Sequence, residues 1–165
     1  MRDQLLALTL HRPWEWAIAR GFKPVENRGW PPPPQVRGKL IALHAGKSYD
    51  EDGAQWMADC RDELGVTEAV PGPTSPSGVI VAIARVVGAL RIDVTPHVAL
   101  GLEPADSARV VASPWAGGPW CWLLDDVVQL AEPVPCRGAQ KLWPVPADLL
   151  PTLRERYGAA RGASR

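Results

Sequence analysis

Apolar residues arrive in short blocks along this chain, and proline- and glycine-rich breaks separate them. Residues 5–10, 39–45, 79–90 and 120–130 are such blocks, and each reads as a buried strand. Gly88 allows a bend in the third, and Asp125-Asp126 reads as a turn or bulge in the fourth. Residues 25–30 read as extended, and residues 133–135 as an edge segment. Helical spacing marks three further segments. Trp14, Ala17 and Ile18 form an i, i+3, i+4 face. Pro13 suits the first turn of that helix, where its missing N–H costs nothing, and Gly21 can take the left-handed conformation that ends it. Residues 49–64 predict a second helix, with Trp56, Cys60 and Leu64 on the core face and acidic residues outside. Asp50, Glu51 and Asp52 near its start favour its dipole. A third helix is predicted over residues 146–157. The prolines at 31–34 cannot donate ladder hydrogen bonds and predict a stiff surface connection. Residues 65–78 read as a loop, and residues 91–118 are the least regular part.

Strands divided by two or three helices predict an α+β fold. A small closed or nearly closed mixed β-barrel with flanking helices fits best, because closure removes the edges of apolar strands. At 165 residues the chain is expected to be one domain over residues 1–158, with a frayed tail at 159–165. That length buries roughly 70% of the unfolded surface, so no metal or disulfide staple is required.

Charge changes this picture locally. Eighteen basic and eighteen acidic residues cancel, which argues against a strongly basic, nonspecific nucleic-acid coat. Residues 1–47 nevertheless hold eight Lys/Arg against three Asp/Glu, a net of +5. Residues 50–70 hold one basic and seven acidic residues, a net of −6. Cys60, Cys121 and Cys136 are an odd set without CxxC spacing, which suits a reducing compartment and does not read as a zinc site. His11, His44 and His97 lack partners at ligand spacing. No metal and no cofactor is expected. No signal-peptide pattern and no apolar run of membrane length is present, so the expected location is cytoplasmic, with no membrane partner.

The basic part contains the segment Gly21-Phe22-Lys23-Pro24-Val25-Glu26-Asn27-Arg28-Gly29-Trp30. A charged cluster just past a helix end, among apolar strands, suits a binding cleft. Lys23 and Arg28 are candidates for phosphate or carboxylate contacts, Arg as a planar fork and Lys as a mobile point charge. The alternative is that Arg28 pairs with Glu26, since both share one face of an extended segment. Glu26 could orient Arg28, accept from a nucleobase amine or act as a general base. Asn27 could read a base edge or form a turn before Gly29. Arg12 and Trp14 flank Pro13 at the mouth of the first helix, an anion site in charge and geometry, where Trp14 offers either a stacking face or core packing. His44 and Lys47 bracket a strand end and could line the same cleft, with a structural histidine as the alternative. Of eight tryptophans most should fill a core, and Trp30 and Trp115 beside Pro/Gly loops are the candidate stacking platforms. Ser113 lacks a His/Asp partner, so nucleophilic serine chemistry is not expected.

These residues occur in a telling order. Leu8-Thr9-Leu10-His11-Arg12-Pro13-Trp14 precedes the segment above, and Ile41-Ala42-Leu43-His44-Ala45-Gly46-Lys47 follows it. Ser77-Gly78-Val79-Ile80-Val81-Ala82, Gly118-Pro119-Trp120-Cys121-Trp122-Leu123-Leu124, Glu132-Pro133-Val134-Pro135-Cys136-Arg137-Gly138 and Lys141-Leu142-Trp143 complete the series. Over residues 5–146 the chain resembles the ASCH domain (activating signal cointegrator homology), a branch of the PUA-like superfamily. The resemblance implies a PUA-like barrel with a cleft between barrel and first helix. It implies a nucleic-acid-binding module for RNA or for single-stranded or modified nucleic acid, or a nucleoside ligand. Some members bind DNA, some small ones hydrolyse an acyl group from modified cytidine, and ribonuclease activity occurs in others. In the small hydrolytic members the lysine of Gly-x-Lys is catalytic, with a threonine three residues later and a distant glutamate. Lys23 matches that lysine, but Glu26 stands where the threonine would. If the chain is an enzyme, Lys23 and Glu26 are the catalytic candidates, or His44, Glu26 and Lys47 for a ribonuclease. An acidic helix at 50–64 docking another protein is a further reading.

Overall fold

The computed structural model describes residues 4–163. Its strands are β1 (Leu6–Arg12), β2 (Val25–Arg28), β3 (Leu40–Tyr49), β4 (Val79–Arg91), β5 (Val98–Leu100), β6 (Trp120–Pro135) and β7 (Leu142–Pro144). Its helices are α1 (Trp14–Ala19), α2 (Glu51–Asp59), α3 (Arg61–Leu64), α4 (Pro104–Ala112) and α5 (Leu150–Ala163). One mixed sheet runs β2-β6-β4-β3-β1-β7, with β5 added to the end of β4. Among the described residues only β1 and β3 pair in parallel, as α1 and β2 intervene between them.

Period-two alternation sorts the side chains. Leu8 and Leu10 of β1, with Ile41 and Leu43 of β3, point into a core closed by Ile18, Val86, Trp122 and Leu124. Ala7 and Ala42 occupy the opposite face, where their small size admits Trp143 and Leu153 of α5. A third cluster lies beneath α1, α2 and α4, built on Ala17, Val25, Met57, Val110 and Trp115. The α+β class agrees with expectation, but the sheet is open. No ladder joins β2 to β7 among the described residues. Among the described residues there are five α-helices, more than the two or three expected.

Local differences have physical causes. The helix expected over residues 49–64 breaks at Cys60, and Gly65 in the left-handed region ends the second piece. The inward face is Gly53 and Met57, so Trp56 is 39% exposed where core packing was expected. Residues 91–118 contain β5 and α4, with Pro104 at the first helical position, where proline is tolerated. Residues 120–130 and 133–135 are a single strand, β6, whose register shifts are bulges against β4. The terminal helix runs through Ala163, and residues 164–165 of the expected tail lie outside the described residues. No helix is long and apolar enough to cross a membrane among the described residues. All three cysteines are free thiols.

Candidate nucleic-acid interface

The charged segment is aimed by the end of α1. Gly21 sits at φ +80°, and the backbone N–H groups of Phe22 and Lys23 both donate to the Ala17 carbonyl. The chain then enters β2, which pairs antiparallel with β6 from Val25↔Leu123 to Arg28↔Trp120. Alternation sends Val25 toward the α1–α2–α4 core, and Glu26 and Arg28 to the other side.

There Lys23, Glu26 and Arg28 form a short chain of charge. Lys23 is 2% exposed, and its Nζ donates to Glu26 Oε2 at 2.7 Å and to the Val25 carbonyl at 2.6 Å. Arg28 Nε donates to Glu26 Oε1 at 3.2 Å, and Arg28 Nη2 to the Thr9 carbonyl at 3.0 Å. β7 pairs with β1 only as far as Leu8, so Thr9 lies on a free edge that Arg28 reaches across. Two cations around one carboxylate leave a net +1. Arg28 is the more open of the two cations, and no other hydrogen bond engages its Nη1 among the described residues.

These groups form the floor of a cleft of about 660 Å³. Trp14 and Trp30 stand along it, and Ala139, Gln140 and Lys141 close the far side. Trp30 is held edge-on against Trp122 at 4.9 Å, while Trp122 Nε1 donates to the Trp30 carbonyl. Lys23 Nζ lies 5.6 Å from the Trp14 ring centre. Trp14 Nε1 donates to Asp50 Oδ2 at 2.8 Å, and Gly53 lets them approach, since a Cβ there would stand 2.5 Å from the indole.

The remaining predicted residues go elsewhere. Arg12 is buried, and donates to the carbonyls of Gly46, Lys47, Pro73 and Ser75. Those bonds tie the 71–78 loop to β3 and leave Arg12 outside the cleft. The α1 helix has only six residues. Asn27 touches the cleft, but its amide donates to the Trp115 carbonyl and accepts from Gly117 and Gly118 N–H, pinning that loop. It neither forms a turn nor leaves its carbonyl oxygen free for a base. Lys47 is exposed and does not line the cleft. Trp115 is buried, so of the two proposed platforms only Trp30 faces the cleft.

His44 is a structural histidine. Its Nε2 donates to the Cys136 carbonyl at 2.8 Å, which leaves Nδ1 to accept from the Thr9 hydroxyl at 3.2 Å. Thr9 Oγ1 in turn accepts from Trp143 Nε1. Burial pushes the imidazole pKa down, and the Cys136 carbonyl opposes that in part. Gly138 packs so closely that a Cβ would collide with the His44 ring. Gly138→Ala should therefore cost about 1–3 kcal/mol by overpacking, read from urea unfolding. A neutral result would mean that this loop is not seated on His44.

Thr9, His11 and the 139–141 wall were not anticipated as cleft residues. They come from β1 and from the loop before β7, which only the β7-β1 pairing brings opposite β2. Among the described residues no three His, Cys, Asp or Glu side chains gather as a metal site would need.

No protein-family model matches the sequence, and no curated protein does. The fold has a solved counterpart. The crystal structure of ASCH from Zymomonas mobilis superposes with a TM-score of 0.50 at 14% identity, covering 93% of this chain and 95% of that one. The open sheet, the short first helix and the cleft beside it are thus set in a chain that adopts the ASCH-type, PUA-like fold.

Proposed function

We propose that the chain is a nucleic-acid-binding module whose cleft takes one nucleotide unit of RNA or of another single-stranded or modified nucleic acid. The observation that carries this reading is Arg28. Glu26 and the Thr9 carbonyl fix its guanidinium at the open edge of β1, and Nη1 remains to grip a phosphate. Trp30 and Trp14 supply ring surface for a base within the same volume. Lys141, exposed on the far wall, adds a second mobile cation. Glu26 then acts as the orienting group for both cations.

Acyl hydrolysis through Lys23 is disfavoured. Its ammonium donates to a carboxylate and a carbonyl and is 2% exposed, so it offers no lone pair to an acyl carbon. The test is a mixed pool of nucleosides and short oligonucleotides incubated with the protein and analysed by mass spectrometry. The expected result is salt-sensitive retention of oligonucleotides without new products. Products formed by the wild type and absent with Lys23→Ala would replace the binding module with an enzyme.

A further inference from the structure

On the other side of Trp14 lies a second hollow, of about 470 Å³, that shares Trp14 and Asn27 with the cleft. Its chemistry is the reverse. The ionisable groups lining it are Asp50 and Asp52, and no lysine, arginine or histidine does so. Three indoles meet there. Trp56 packs against Trp115 at 5.8 Å and 84°, and against Trp14 at 6.0 Å and 37°. Trp115 is buried, whereas Trp56 is 39% exposed, so the corner has a closed back and an open front.

Apart from Trp14, nothing in the nucleic-acid reading uses this hollow, and phosphates suit it poorly. Asp50 holds its negative charge firmly, because its carboxylate accepts from the Gly53 N–H and from Trp14 Nε1. Asp52 is exposed, with no hydrogen bond or ion pair among the described residues. An indole face carries negative quadrupole density and attracts cations. A methylated ammonium is weakly hydrated and apolar at its surface, so it enters an indole corner at little desolvation cost. A primary ammonium is strongly hydrated and enters less readily.

We propose that the Trp14–Trp56–Trp115 corner is a binding site for a methylated ammonium group, with Asp50 and Asp52 supplying the long-range attraction. The group could be carried by a small molecule or by a methylated lysine on a polypeptide, and the arms of the experiment separate these sources.

The experiment follows the indole N–H resonances of the full chain as tetramethylammonium chloride is added. Sodium chloride at equal ionic strength and tert-butanol, a neutral molecule of similar shape, serve as controls. The expected result is a saturable shift of the Trp14 and Trp56 signals with tetramethylammonium alone. Trp56→Leu should weaken binding at least tenfold, with the Trp143 indole signal unmoved because that ring packs against His44, away from the corner. Asp52→Asn should weaken it several-fold. A trimethyllysine peptide that binds at least tenfold tighter than tetramethylammonium assigns the polypeptide source, and equal affinity assigns a free cation. Shifts that do not saturate, that tert-butanol reproduces, or that survive Trp56→Leu would overturn the proposal. Displacement of tetramethylammonium by a short oligonucleotide, still seen in Arg28→Ala, would also overturn it, since the hollow would then belong to nucleic acid.

Discussion

Glu26→Ala should destabilise the domain by about 3–5 kcal/mol, the cost of leaving a buried charge without its partner. Lys23 is 2% exposed, and its ammonium would keep only the Val25 carbonyl. Lys23→Met should cost less, because Glu26 retains Arg28 at 3.2 Å. The double variant Lys23→Met/Glu26→Leu should recover much of the Glu26→Ala loss, since apolar residues of similar volume often replace a buried ion pair without penalty. Urea unfolding of all three at pH 7 measures this. A Glu26→Ala cost below about 1 kcal/mol would show that Lys23 finds water or another acceptor, and that Glu26 does not organise the cleft floor.

The second large effect concerns Glu15, at the start of α1. Its side chain is 4% exposed, and Oε2 has no hydrogen-bond partner. Burial raises its pKa from 4.5 to about 7, against smaller lowering by the Glu15 and Trp16 backbone N–H groups and by Arg12. The folded state therefore holds this proton more tightly than the unfolded chain. Its stabilising contribution is complete below pH 4.5 and is lost as pH rises through about 7. The full difference amounts to about 3 kcal/mol by the linkage relation. Tyr49 and Asp50 lie in the same electrostatic neighbourhood but titrate outside that window. His44, with its lowered pKa, adds stability as pH rises through the lower part of this range, so the Glu15 contribution is read as a difference. Between pH 5 and pH 8.5 thermal unfolding should show wild-type stability falling relative to Glu15→Gln. Identical slopes would mean that Glu15 is ionised and solvated in the folded state.

Much of this architecture is legible in the amino-acid order. The strands β1, β3 and β4 contain apolar runs, with a β-branched bias in β4, and tertiary context does not contradict that local preference. The cleft floor is legible because Glu26 and Arg28 stand two apart in an extended segment, and Gly21 marks the turn that precedes them. Proline obscured two elements. Pro104 opens α4 within the stretch that reads as least regular, and Pro133 and Pro135 hid the end of β6, which pairs with β4 at Val79 and Ile80. Arg12 and His44 show another limit. Arg12 was a candidate ligand group and His44 stood open between a ligand and a structural role, whereas loop carbonyls at Gly46, Pro73, Ser75 and Cys136 needed donors. Those carbonyls lie 34 to 92 residues away from their partners, a pairing that no local pattern encodes. Trp56 shows the limit of helical periodicity, since α2 buries Gly53 and Met57 while Leu64, on the same expected face, packs inward from the separate α3.

The proposed role of Arg28, anchoring an anionic nucleic-acid backbone in the cleft, has a direct test. The affinity of a short single-stranded RNA should be measured for the wild type and Arg28→Ala at several salt concentrations. The account predicts that wild-type affinity falls as salt rises. Arg28→Ala should remain folded, bind more weakly and lower the log–log salt slope by about 0.7, the share of one phosphate contact on a single strand. RNA affinity that ignores salt, or a slope that Arg28→Ala leaves unchanged, would contradict it.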